Sequence, residues 1–172
     1  MENRNKTKYF PFFIDITGKK MFLAGAGKIA LRRASALLRF GAELTVVAPE
    51  IREEFYELQK RYGEKHLQIV QQVCTPELLK GYELVLAATD GRPTDHMIWE
   101  ICKKNHIWVN VASDQTLCDF HFPALIETDE IVTGVTSNSG NHRKVREVSA
   151  KIREVLDAEN KNLDLTVDGG KK

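Results

Sequence analysis

Two glycines and an alanine near the start of the chain have the types and spacing of a phosphate-binding loop. The pattern is Gly25-x-Gly27-x-x-Ala30, and it follows the apolar run of residues 21–25. The first glycine would allow a tight turn, the second would let the backbone approach a pyrophosphate, and the small third residue would let a helix pack on the strand. Free N–H groups at the helix start would then face the anion. We expect Gly25, Ala26, Gly27 and Ala30 to hold a dinucleotide; the alternative is a glycine turn kept for packing.

The end of the second apolar run lacks a feature that many dinucleotide sites have. A carboxylate for the ribose hydroxyls usually follows the loop by about 20 residues, but this stretch reads Val47-Ala48-Pro49-Glu50. We therefore expect backbone groups around Ala48, Pro49 and Glu50 to hold the adenosine. The choice between NAD and NADP stays open here, with NAD favoured because the strand end itself carries no arginine.

Polar side chains end two further apolar runs. Thr89 and Asp90 follow residues 83–88. Ser113 and Asp114 follow residues 107–111, a run that contains Asn110. In a parallel sheet these carboxyl ends would line the cofactor crevice. Thr89 and Asp90 would contact the cofactor, and the Asp114 carboxylate would take a proton while a hydride leaves to the cofactor. For both aspartates the alternative is capping of the following turn.

The elements that must position these residues follow a strand–helix rhythm. Apolar, β-branched runs alternate with segments of helical periodicity through residue 111. Short links between such segments favour right-handed βαβ units and a parallel sheet. The fold class that we predict is α/β, a doubly wound parallel Rossmann-type sheet with the phosphate loop after its first strand. Predicted strands cover residues 21–25, 44–48, 67–73, 83–88 and 107–111, and predicted helices cover residues 28–40, 50–62 and 93–104, with a short helix from Thr75-Pro76.

After about residue 114 the rhythm changes. Residues 122–126 and 131–136 read as two strands around an acidic turn, and a helix follows from Asn141 or His142 to Leu156. That helix carries one narrow apolar stripe, which either packs on its own sheet or forms a seam between two subunits. We therefore predict three parts: a dinucleotide-binding domain at residues 1–114, a small α+β dimerisation and substrate region at 115–157, and a polar tail at 158–172.

Composition excludes several classes of protein. The 172 residues carry a net charge of +1, so no overall field attracts nucleic acid or a membrane surface. No apolar run approaches the roughly 20 residues of a membrane-spanning helix, and the polar start lacks a secretory signal. The cysteines, Cys74, Cys102 and Cys118, are scattered, which argues against disulfides and structural zinc. We expect a cytoplasmic protein without a resident metal.

Taken together, short motifs in a fixed order resemble those of the siroheme synthase N-terminal family, the precorrin-2 dehydrogenases. They span residues 9–156, and each is loose by itself. Besides the glycine loop they are Tyr9-Phe10-Pro11-Phe12, Arg32-Arg33-Ala34, Leu44-Thr45-Val46-Val47-Ala48-Pro49, Ala87-Ala88-Thr89-Asp90, Val109-Asn110-Val111, Cys118-Asp119-Phe120-x-Phe122-Pro123-Ala124 and Gly134-Val135-Thr136-Ser137.

The resemblance implies oxidation of precorrin-2 to sirohydrochlorin with NAD⁺ as hydride acceptor, in a homodimer, and in some members iron insertion as well. It implies cofactor contacts at Lys28 and Ile29, and again at Pro49 and Glu50. It places a tetrapyrrole substrate against Ser113 and against the turn that carries Ser137 and Asn138.

One departure concerns the proposed base. Members of the family often carry an aspartate three residues after the strand asparagine, and here that slot holds Ser113, with Asp114 beside it. We take Asp114 as the catalytic residue. Two other hypotheses remain: a nucleotide-sensing regulatory domain, which would be expected to carry a carboxylate at position 48, and a family member that binds a dinucleotide or tetrapyrrole without turnover.

Overall fold

A computed structural model describes residues 8–167, with side chains described as far as residue 158. The chain divides into two compact units. The larger runs from Ile14 to His121. The smaller combines Met1–Phe13 with Phe122–Lys172, of which residues 8–13 and 122–167 are described.

The larger unit is a parallel sheet with helices packed on it. Its five strands lie in the order β3-β2-β1-β4-β5, and every neighbouring pair is parallel. In chain order the elements are β1 (Lys20–Ala24), α1 (Lys28–Arg39), β2 (Glu43–Ala48), α2 (Glu53–Tyr62), β3 (Leu67–Gln71), β4 (Leu84–Ala87), α3 (Arg92–Lys104) and β5 (Trp108–Val111). The predicted doubly wound Rossmann-type sheet is confirmed.

The central strands are buried on both faces, which explains their continuous apolar sequences. Phe22 and Leu23 of β1, Val46 of β2, and Val85 and Leu86 of β4 are all fully buried. The chain crosses from β3 past β1 to β4, so the strand order reverses between β1 and β4. In open α/β sheets a ligand binds beyond the carboxyl ends of the strands at such a reversal.

Most element boundaries differ from the sequence prediction by one or two residues, and three differences in the larger unit have a visible local cause. Helix α2 begins at Glu53 rather than residue 50, because Arg52 still has extended backbone with ψ of 144°. Strand β3 ends at Gln71 rather than residue 73, because the N–H of Gln72 turns back to the carbonyl of Val70. The short helix after Thr75 is a single 3₁₀ turn, Pro76–Leu79.

The smaller unit contains two antiparallel strands and a long helix. Strands β6 (Ala124–Glu127) and β7 (Val132–Val135) are paired, and helix α4 (His142–Val167) packs on them. Ser149 of α4 and Ile126 of β6 are buried, and the Arg153 guanidinium donates to the Leu125 carbonyl. The helix thus covers its own sheet and continues well past the predicted end at Leu156; residues 168–172 of the predicted tail lie outside the described residues.

Candidate dinucleotide site

The fold itself requires glycine at the first loop position. Gly25 has φ of +100°, a region that side-chain-bearing residues rarely adopt, and its N–H donates to the Val47 carbonyl. A β-carbon at this position would lie 2.1 Å from the carbonyl oxygen of Ala88. The tight turn after β1 therefore passes directly against the end of β4.

The fold makes no such demand at the second glycine. Gly27 has an ordinary φ of −78°, and a β-carbon there would meet no atom within 4 Å. It caps helix α1, whose start has no side-chain cap and no acidic residue in its first turn. The first N–H groups of a helix lack partners within the helix and carry its positive dipole end. The space above Gly27 and these N–H groups together suit an anion such as a pyrophosphate.

The remaining loop residues divide by exposure. Ala26 and Ala30 are buried, and Ala30 is the small side chain that allows α1 to approach the sheet. Lys28 and Ile29 are exposed at the start of α1, with half of the Ile29 surface open to solvent. Both predicted contact residues are therefore accessible to a ligand that lies along the helix start.

At the end of β2, Ala48 is buried whereas Pro49 and Glu50 are exposed. The Pro49 carbonyl accepts a hydrogen bond from the Gln71 side chain at 3.2 Å. The nearby Arg52 guanidinium is paired with Glu54 at 2.6 Å. The guanidinium of Arg52 is thus already engaged by a carboxylate.

Backbone hydrogen bonds continue past the ends of the central strands. The N–H of Ala88 donates to the Ala24 carbonyl at 2.9 Å, and the N–H of Ala112 donates to the Ala87 carbonyl at 2.8 Å. The loops that follow β1, β4 and β5 therefore lie side by side at one edge of the sheet, as predicted for the crevice.

A buried carboxylate that the sequence reasoning missed joins two of these loops. Asp95 in the first turn of α3 is 1% exposed. Its Oδ1 accepts hydrogen bonds from the Thr89 N–H at 3.2 Å and the Thr89 hydroxyl at 2.7 Å. Its Oδ2 accepts the Ser113 hydroxyl at 2.6 Å. An acid in a first helical turn is common on protein surfaces, so only the polar ends of β4 and β5 could have indicated this role.

A buried cation lies near the same carboxylate. Arg33 of α1 is 8% exposed, and burial lowers the pKa of its guanidinium. The negative charge of Asp95 acts in the opposite direction and favours the charged form. Arg33 belongs to a motif that carried the family resemblance, and the structure gives it an electrostatic role beside the crevice.

Asp114 lies on the surface of the loop after β5. Its Oδ1 accepts hydrogen bonds from the N–H and the hydroxyl of Thr116, at 2.9 and 2.7 Å. These bonds cap the short 3₁₀ helix Gln115–Leu117 and hold the pKa of Asp114 below its ordinary value of 3.8. Asp90 is likewise exposed, beside the start of α3.

The segment that follows is anchored to β5. Asn110 donates from its side chain to the Phe120 carbonyl at 2.7 Å, and the Val109 N–H donates to Asp119 at 3.0 Å. The Val111 N–H donates to the Cys118 sulfur at 3.2 Å, and burial raises the pKa of that thiol. These contacts fix both ends of the loop that carries Ser113 and Asp114.

The two other predicted substrate residues belong to the smaller unit. The Ser137 hydroxyl accepts hydrogen bonds from the N–H groups of Ser139 and Asn141, at 3.2 and 3.1 Å. The Asn138 side chain accepts one from the N–H of Tyr9 at 3.1 Å. These bonds shape the turn before α4, and the substrate role of both residues stays a prediction.

One cleft of the larger unit is separate from this crevice. A cleft of about 530 Å³ lies at the opposite, amino-terminal edge of the sheet, beside Tyr82 and Ile107, away from the residues above. Across the described part of the chain, no three histidine, cysteine or acidic side chains are grouped to hold a metal ion, and no helix is long and apolar enough to cross a membrane.

Several known proteins resemble this chain in sequence, and one solved structure resembles it in fold. Residues 12–124 match the family model described as "Putative NAD(P)-binding". A protein of Ruminiclostridium josui named "Probable multifunctional siroheme biosynthesis protein HemA" is 38% identical over 88% of this chain and 29% of its own length. A siroheme synthase of Photorhabdus laumondii is 39% identical over 87% of this chain and 30% of its own length.

The chain thus spans about 30% of the length of these curated relatives. Among solved structures, that of "SirC, precorrin-2 dehydrogenase" superposes with a TM-score of 0.73 and 22% identity, over 85% of this chain and 70% of that one, and so supports the fold. The chain therefore belongs to this NAD(P)-binding family, the family of the siroheme synthase N-terminal domain.

Proposed function

We propose that this protein is a dehydrogenase that oxidises precorrin-2 to sirohydrochlorin with NAD⁺, a step of siroheme biosynthesis. The observation that carries the proposal is the uncapped start of α1 beneath Gly27, where nothing in the larger unit fills the space of a β-carbon. That space lies at the strand-order reversal, which is the dinucleotide position in this fold. The siroheme synthase relatives support the choice of substrate.

NAD rather than NADP is the proposed cofactor. The 2′-phosphate of NADP is commonly accommodated by a nearby arginine. Arg52 is the arginine near the end of β2, and its guanidinium is paired with Glu54. Backbone groups at Ala48, Pro49 and Glu50 are left to hold the adenosine. Titration of the protein with NAD⁺ and NADP⁺ tests this choice, with tighter binding of NAD⁺ as the expected result.

The reaction removes a hydride and a proton from the substrate. Bound NAD⁺ supplies the hydride acceptor. The chain contributes the positioning of both reactants and a group that receives the proton, for which Asp114 is our candidate. Asp114 is exposed beside the crevice, and its carboxylate, whose ordinary pKa of 3.8 is lowered further by the hydrogen bonds from Thr116, is ionised at neutral pH and so can accept a proton. The role of Asp114 rests on its position after β5.

The smaller unit has features that suit a polycarboxylated substrate and a second subunit. Arg143, Lys144 and Arg146 are exposed in the first turns of α4, where cations can pair with carboxylates. Arg143 and Lys144 share the single carboxylate of Glu147, at 3.6 and 4.0 Å, so the group keeps an excess of positive charge. Val155, farther along the same helix, is 57% exposed on the apolar stripe. We propose that this unit, with Ser137 and Asn138, contributes to the tetrapyrrole pocket of a cytoplasmic homodimer.

An anaerobic assay with enzymatically prepared precorrin-2 and NAD⁺ tests the activity. NADH and sirohydrochlorin, each followed by its absorption spectrum, should form together and in equal molar amounts. Binding of NAD⁺ without turnover would contradict the proposal and favour the non-catalytic binding protein, for which Ser113 in the family's aspartate slot is the supporting observation. Iron insertion stays a prediction that the same assay tests when ferrous iron is added.

A further inference from the structure

The buried Asp95 carboxylate accepts hydrogen bonds from two hydroxyl groups at the crevice. Three donors converge on its two oxygens: the Thr89 N–H, the Thr89 hydroxyl and the Ser113 hydroxyl. An ionised carboxylate can only accept hydrogen bonds. All three contacts of Asp95 are of this kind, because each partner donates a proton to a carboxylate oxygen. The Ser113 proton therefore points inward, toward Asp95.

This direction decides what Ser113 offers to a ligand. Asp95 is buried, whereas Ser113 is exposed. A hydroxyl has one proton and two acceptor lone pairs, so the side of Ser113 that faces solvent presents acceptor lone pairs only. An anionic group would meet oxygen lone pairs with a carboxylate behind them, which is unfavourable. An N–H donor would meet a matched acceptor.

We propose that Asp95 is a positioning residue that makes Ser113 a hydrogen-bond acceptor for an N–H group of the bound ligand. The inference rests on the proposed function and deepens it. That reaction brings two candidate N–H donors: the carboxamide of the nicotinamide ring and a pyrrole N–H of the substrate. In either case Ser113 excludes the substrate's carboxylates from this position.

The test begins with the cofactor alone and needs no turnover. The probes are NAD⁺ and its 3-acetylpyridine analogue, in which a methyl group replaces the carboxamide NH₂, with binding measured by calorimetry. If Ser113 accepts the carboxamide N–H, the wild type should prefer NAD⁺ by about three- to tenfold, the usual worth of one hydrogen bond. Ser113→Ala should abolish that preference.

Variants of Asp95 test whether its carboxylate acts through Ser113. In Asp95→Asn the side-chain amide can donate a hydrogen bond to the Ser113 oxygen, so the Ser113 hydroxyl proton is free to point toward the ligand. The preference for NAD⁺ should therefore fall as in Ser113→Ala. When Asp95→Asn is added to Ser113→Ala, the preference for NAD⁺ should change no further. The effects of two residues that act through one contact do not add. Glu100→Gln is the matched control, since it removes an exposed carboxylate from the same helix. Ser113→Ala carries the test alone if Asp95→Asn fails to fold.

The substrate arm separates the two donors. If the pyrrole N–H is the partner, Ser113→Ala and Asp95→Asn should raise the KM for precorrin-2 about three- to tenfold and leave the preference between the cofactors unchanged. The inference is overturned if both variants match the wild type in cofactor preference and in KM, or if the wild type binds neither cofactor. A wild type that binds NAD⁺ with the expected preference but shows no turnover would contradict the proposed function alone.

Discussion

The carbonyl oxygen of Ala88 lies 2.1 Å from the point where a β-carbon on residue 25 would stand. The backbone at Gly25 also has φ of +100°. Gly25→Ala therefore combines a clash with backbone atoms and a strained conformation, and it should lower the free energy of unfolding by about 2–4 kcal/mol. Urea unfolding followed by circular dichroism measures the change. An unchanged midpoint would show that the loop after β1 does not pass against β4 as described.

Gly27→Ala is expected to behave in the opposite way. The position has ordinary φ and open space, so the unfolding free energy should fall by only about 1 kcal/mol or less, the cost of alanine at a helix N-cap. Its methyl group would stand where the pyrophosphate approaches, so we expect NAD⁺ affinity to drop at least about tenfold. Calorimetric titration measures the affinity. Wild-type affinity in Gly27→Ala would contradict the location of the site.

The two glycines also show how far the sequence could predict the fold. Spacing within the chain was enough to predict the loop, since a turn after a buried strand and before a helix is set by neighbouring residues. The parallel sheet followed from the same local rhythm. The different roles of Gly25 and Gly27 were expected from the motif, but the contact that requires glycine at position 25 was not, because it is made with the carbonyl of Ala88, far along the chain.

Asp95 and Arg33 were missed as site residues for a similar reason. Each sits on a helix among polar neighbours, and its burial depends on contacts between elements distant in sequence. Ser113 was predicted from its motif, but its hydrogen bond to Asp95 was not. Helix and strand ends were off by a few residues where local hydrogen bonds, such as that of Gln72, end the ladder.

The Asp114 base is tested by Asp114→Asn. Asparagine keeps the oxygen that accepts from Thr116, so folding should be preserved. Turnover of precorrin-2 should fall by a factor of about 10²–10⁴, the usual contribution of a general base. The readout is kcat in the anaerobic assay, with NAD⁺ affinity as the control for an intact cofactor site. Full turnover by the variant would exclude Asp114 as the base.

The pH dependence of the same carboxylate has a defined sign. Hydrogen bonds from Thr116 hold the pKa of Asp114 below 3.8 in the folded protein. The stabilisation that this gives is present above the unfolded pKa and is lost as pH falls through the folded value. The activity loss that belongs to Asp114 should therefore lie below pH 3.8. Thr116→Val removes the hydroxyl donor and should move that loss to higher pH in a kcat/KM profile, which reports the pKa values of the free enzyme. An unmoved profile would assign the loss to another group.

The three cysteine thiols should react more slowly than the thiol of a solvent-exposed cysteine. Burial raises the pKa of Cys74 to about 11 and that of Cys102 to about 12, and both side chains are buried. At pH 8 about one thiol in a thousand, or fewer, would then be ionised, and the thiolate is the reactive form. Cys118 is only half-buried, so its thiol should react first although burial raises its pKa as well.

The measurement is the rate of reaction with a disulfide reagent at pH 8, with and without urea. In urea the three thiols should react together and fast. In the native protein Cys74 and Cys102 should react only as fast as the protein unfolds, because reagent and hydroxide must both reach a buried sulfur. Cys118→Ser removes the half-buried thiol and should leave a native protein with no fast phase. Two fast thiols in that variant would show that the core around β4 and α3 is open to solvent, contrary to the buried packing of Cys102.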